Sequence, residues 1–146
     1  MNWKLIFGLS LFGLAMAFGT VFAISPRVEP FFWLVIFVIC AFVIARQAAL
    51  RPFVHGLLLG IANSVWIIGA HLLFFNRYLA GHPQEATMMS SSHAALPPKL
   101  LMAIVGPVIG VVSGVVIGVL AYVVAKVLKS GKGKESTKPR RAPAGS

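Results

Sequence analysis

The sequence predicts an all-α integral membrane protein: four transmembrane helices in an antiparallel bundle, followed by a disordered basic C-terminal tail. Three observations carry this reading. Of the 146 residues, 58% are hydrophobic and only 11% are charged, whereas a soluble domain usually carries about 25% charged residues. Four apolar stretches have the length and composition to cross a bilayer. The formal net charge of +10 is not spread evenly, because much of it follows the last of these stretches. A soluble globule of this size could not hide so much apolar surface.

The first span is expected over residues 5–24, a run without a charged residue. Ala15-Met16-Ala17 within it also fits the A-x-A pattern of a cleaved signal peptide. The apolar run continues unbroken from Phe18 to Ile24, which favours a retained helix. Ser25 to Pro30 forms a turn, and Pro30 suits the first position of a second helix, expected over 30–48. Phe31, Phe32 and Trp33 at its start resemble an interfacial aromatic belt. Arg46 at its far end can snorkel to the headgroups. Pro52 opens the third span, expected over 52–75, which carries the polar residues His55, Asn63, Ser64 and His71. The sequence predicts a long loop over 76–98 with a flexible middle from Met88 to His93. The fourth span is expected over 100–127. Residues 1–128 thus make up a transmembrane domain. Residues 129–146 lack the apolar side chains needed to pack and are read as a disordered basic tail.

The distribution of Lys and Arg sets the expected orientation. With four spans, Lys4, Arg46, Arg51 and the tail cations share one side, leaving Arg27, Arg77 and Lys99 for the other. The expected location is the bacterial inner membrane, multi-pass, with both termini cytoplasmic. The cluster Lys126, Lys129, Lys132 and Lys134 would then meet anionic lipid headgroups.

Glycine recurs at every fourth position of the last span, at Gly106, Gly110, Gly114 and Gly118. Residues four apart share a helix face, and small residues at that spacing let helices approach closely in lipid. Ala15 and Gly19 in the first span, and Gly56 and Gly60 in the third, offer partner grooves. Contact with the third helix is the first expectation for the glycine face, and self-association is the second. Pro107 removes a backbone donor and crowds the preceding turn, which marks it as a possible hinge.

At about 1.5 Å per residue, Ser10, Asn63, Ser64 and Ser113 all fall roughly 17–21 Å from the outer ends of their helices. Equal depth predicts a hydrogen-bonded midplane cluster of these four residues.

Catalytic and metal chemistry find little support. Ser113 and His71 lie at depths too different for a nucleophile and its base. Glu29, Glu85 and Glu135 fall outside the spans, so no intramembrane carboxylate is available to carry protons. The outer-side His71, His82, His93, Met88 and Met89 match no metal-ligand spacing. The basic tail lacks the aromatic interleaving or folded module of a nucleic-acid binder. The sequence therefore reads as a small polytopic membrane protein without catalytic activity, cofactor or metal, packing or assembling through Gly/Ala grooves. Its expected partners are the bilayer, a second copy or another membrane protein. The alternative is an oligomeric small-solute channel or transporter using the midplane polar cluster.

Overall fold

The computed structural model describes residues 1–48, 50–91 and 96–136. The described residues form six helices and no strand: α1 (Trp3–Phe22), α2 (Glu29–Gln47), α3 (Pro52–Leu73), α4 (Phe75–Gly81), α5 (Pro83–Ser91) and α6 (Pro98–Ser136). Four of them, α1, α2, α3 and α6, are long and apolar enough to cross a membrane.

Local chemistry sets the helix ends. Asn2 caps α1, its side-chain oxygen accepting from the Leu5 N–H at 3.1 Å. Pro30 and Pro52 occupy first-turn positions of α2 and α3, where a missing N–H costs no helix bond. α1 stops at Phe22, two residues before the expected end, because the Ala23 and Ile24 amides both turn back onto the Gly19 carbonyl. α3 stops at Leu73, where Phe74 leaves the helical path while its N–H still bonds the Ala70 carbonyl.

Two expected boundaries need correction. Most of the stretch read as a loop over 76–98 is helical, as α4 and α5. These helices have an apolar anchor: Tyr78 is buried with Val21 and Met102, and Phe75, Leu79 and Met89 pack around them. Residues 92–95, including His93, lie outside the described residues. The second correction concerns the tail. α6 does not end near 127 but runs 39 residues to Ser136, about 58 Å at the usual helical rise. Residues 129–136, expected as disordered, are helical, and residues 137–146 lie outside the described residues. The hydrocarbon core is only about 30 Å thick, so one end of α6 projects well beyond it. Lys126 and Lys129 are exposed on that projecting end, and Lys132 and Lys134 follow on the same helix.

α1 packs on α3, α3 on α6, and α6 on α2. The main apolar core joins Leu5 and Leu9 of α1, Cys40, Ala41 and Ile44 of α2, Leu59 of α3, and Ile117 and Ala121 of α6. All of these lie toward one end of the molecule. At that end His55 accepts a hydrogen bond from the Asn2 N–H through Nε2, at 3.1 Å, and donates from Nδ1 to the Arg51 carbonyl at 2.8 Å. α2 buries residues only in its second half, so its first half stands away from α3. Phe31, Leu34, Val38, Val108 and Val112 are exposed, as expected of surfaces that meet lipid.

α3 and α6 run in opposite directions and touch through backbone. A β-carbon placed at Gly60 would meet the backbone of Gly114, and one at Gly56 would meet the backbone of Gly118. From the other side, a β-carbon at Gly114 would lie 2.6 Å from the Leu57 carbonyl oxygen, and one at Gly118 would lie 2.7 Å from that of Phe53. Gly110 receives the Ser64 side chain, and Gly106 receives that of Ile68. Dispersion across such a close interface is the main source of helix association where lipid removes the hydrophobic driving force. The helix continues through Pro107.

The expected α1 groove of Ala15 and Gly19 is not a helix contact. Ala15 is exposed, and the space over Gly19 is taken by Ile24 of the same segment. The buried face of α1 instead runs through Leu9, Gly13, Ala17 and Thr20. Gly13 is the close-approach position, with the Asn63 side chain against it.

Candidate functional site

The candidate site is a cavity of about 1090 Å³ between the first half of α2, the second half of α3 and the first half of α6, with α5 over one end. It exists because the main core draws the four long helices together only at the opposite end. Leu34 and Ile109 border the cavity and remain exposed, so it opens sideways, between α2 and α6, onto the surface that faces lipid. Phe37, Ile67, Ile68 and Val105 make its walls apolar.

The end beneath α5 is polar. Its centre is Tyr78 of α4, whose ring is sandwiched between His71 and His82 at centroid separations of 3.9 and 4.2 Å. The Tyr78 hydroxyl donates to Glu85 Oε2 at 2.7 Å. Burial, and then the bonded Glu85 carboxylate, push the phenol far above its usual range, so Tyr78 stays a donor. Glu29, at the start of α2, accepts from Trp33 Nε1 at 3.2 Å and lies 3.4 Å from His82 Nε2. His82 Nδ1 faces the Tyr78 carbonyl at 3.0 Å. Both ring nitrogens of His82 thus face oxygen atoms, the Tyr78 carbonyl and the Glu29 carboxylate.

His71 joins this end to α1. The Thr20 hydroxyl donates to the Ala17 carbonyl at 3.2 Å, so its oxygen receives the bond from His71 Nε2, at 3.1 Å. That assigns the proton of the neutral ring to Nε2 and leaves Nδ1 as an acceptor.

Deeper in the cavity lie Asn63, Ser64 and Ser113. They share the cavity, but the expected hydrogen-bonded cluster with Ser10 does not form. Ser10 donates to its own helix at the Phe7 carbonyl, 2.8 Å away, and accepts from Trp66 Nε1 at 3.2 Å. Ser64 likewise donates back to the Ile61 carbonyl at 2.8 Å. A serine in a helix always has such a carbonyl within reach, and here it wins over a partner across the bundle. Asn63 is 4% exposed, and its Oδ1 has no hydrogen-bond partner.

Glu29, Trp33, Tyr78 and Glu85 line the candidate site, and depth and composition did not single them out for it. A signal was present: Glu29 and Trp33 are four apart, as are Tyr78 and His82, with Glu85 three further on. Among the described residues, no three His, Cys, Asp or Glu side chains are grouped to hold a metal ion.

No protein-family model, curated protein or solved structure matches this chain. Function therefore rests on the cavity itself.

Proposed function

We propose that this membrane protein is a non-catalytic binder of a small membrane-soluble molecule, held in the cavity between α2, α3 and α6. The observation that carries the reading is the cavity's build: apolar walls, one polar end and a side opening toward lipid. Its volume, about 1090 Å³, lies just above the roughly 300–1000 Å³ usual for ligand sites. The glycine contacts of α3 and α6 serve in this reading as a rigid frame, and self-association through the same glycines would require α3 to leave. A channel built on Ser10, Asn63, Ser64 and Ser113 has less support, because Ser10 is engaged by Trp66.

Photolabelling tests the reading. A diazirine-bearing long-chain alcohol, added to the full chain in lipid nanodiscs, is expected to label Leu34, Val105 or Ile109 saturably. Val105→Trp, which fills the cavity from α6, is expected to cut that labelling about fivefold or more, the effect of losing roughly 1 kcal/mol of contact. Non-saturable labelling spread over Val38 and Val112 would remove the basis for the proposal.

We also place the Lys-rich end of α6 on the cytoplasmic side of a bacterial inner membrane, against anionic headgroups. Exposed Lys126 and Lys129 support this. Replacing both with serine is expected to weaken the preference for anionic over neutral lipid by about 1 kcal/mol per residue, read as lipid enrichment around the protein. Unchanged enrichment would assign these lysines to topology alone.

A further inference from the structure

We propose that the cavity's ligand is a single-tailed amphiphile with a cationic ammonium head and no phosphate, its head held between Glu29 and Glu85. This rests on the binding role proposed above and names the chemistry of its ligand.

At the closed end the Trp33, Tyr78 and His71 donors are committed to partners, and the Gln84 amide lines the same end. The Trp33 N–H is given to Glu29, and the Tyr78 O–H to Glu85. The His71 Nε2–H is given to Thr20, which leaves the lone pair of Nδ1. Two carboxylates sit at this end beside the Trp33 ring, while both faces of Tyr78 are covered by His71 and His82, and no Lys or Arg lines the cavity. An anionic or phosphate-bearing head would meet two like charges and no Lys or Arg to offset them. An ammonium head would meet carboxylate oxygens, and the Trp33 ring beside them adds a cation–π surface.

The rest of the cavity suits a tail. Below the polar end the walls are apolar, and the side opening between Leu34 and Ile109 lets a chain enter from lipid without crossing water.

The experiment compares three diazirine probes of one chain length on the full protein in zwitterionic nanodiscs: an alkyltrimethylammonium, the alcohol and an alkyl sulfate. The ammonium probe is expected to half-saturate labelling at a concentration about tenfold lower than the alcohol, the gain of one buried cation contact. The sulfate is expected to label least. In Glu29→Gln/Glu85→Gln the ammonium advantage over the alcohol is expected to disappear, with folding of the variant checked separately by monodisperse elution in mild detergent. Should the double variant not fold, Glu85→Gln alone is expected to lower the advantage at least about threefold, roughly half of the tenfold effect on a free-energy scale.

Equal half-saturation by ammonium and alcohol in the wild type would overturn the cationic-head inference and leave the binding role standing. An advantage that survives both glutamine substitutions would overturn it as well. Competition by lysophosphatidylethanolamine as effective as that by the alkylammonium would overturn the exclusion of phosphate. Non-saturable labelling by all three probes would overturn the binding role itself.

Discussion

Alanine at Gly60 is expected to destabilise the protein by about 2–3 kcal/mol, at the upper end of the usual cost of overpacking. The same substitution at Gly69 is expected to be neutral or to stabilise by up to about 1 kcal/mol, the helix-propensity gain of alanine over glycine. Both residues lie in α3, nine positions apart, so lipid and helix context are shared. They differ in what a β-carbon meets. At Gly60 it meets the backbone of Gly114 and the Gly110 carbonyl oxygen, neither of which can rotate away. At Gly69 it meets nothing within 4 Å. Forcing α3 from α6 also strips contacts from Gly56, Gly114 and Gly118, so Gly60→Leu is expected to prevent recovery of a monodisperse protein. Unfolding in a graded series of denaturing detergent mixtures, followed by tryptophan fluorescence, gives both values. Equal effects at the two positions would mean that the α3–α6 contact is not a close backbone interface.

The second large effect is expected at Tyr78. Tyr78→Ala removes a buried aromatic ring from between two imidazoles, and deletions of this size cost about 3–5 kcal/mol. The loss should be local first, because Tyr78 is the principal anchor of α4 and α5. Limited proteolysis is expected to cut between residues 75 and 91 in the variant well before any other site. Tyr78→Phe keeps the stacking and loses only the hydroxyl bond to Glu85. It is expected to cost about 1 kcal/mol and to leave the protease pattern unchanged. If Tyr78→Phe were as damaging as Tyr78→Ala, the hydroxyl and not the ring would hold the two short helices.

Different parts of the structure left different marks on the sequence. The four long helices could be read directly, since lipid demands long uninterrupted apolar runs and leaves the backbone no alternative to helix. Spacing alone showed which face of the last helix is small. α4 and α5 left a weaker mark. They are short and polar on most faces, and what fixes them is tertiary: Tyr78 gains its stability from His71, a residue on another helix. Depth counting placed Asn63, Ser64 and Ser113 at a common level, yet depth says nothing about helix rotation or about the competing carbonyl one turn back. For that reason Ser10 and Ser64 bond their own helices. The α1 face was misread because Ala15 and Gly19 look like a groove by composition, whereas Leu9, Gly13 and Ala17, two positions offset, are the ones that pack. Glu29, the first residue of α2, and Glu85 of α5 acquire meaning only when folding brings both to one end of the cavity.

The uneven attachment of α2 gives the molecule a mechanical character. The helix is pinned by Cys40, Ala41, Ile44 and Ala45 at one end. At the other it is fastened by the Glu29–His82 contact. Between these two fastenings the first half of α2 buries no residue, though Ile36 and Phe37 still rest against the main core. The gap beside α6 is thus spanned like a beam held at its two supports, opposite the backbone-tight pair of α3 and α6.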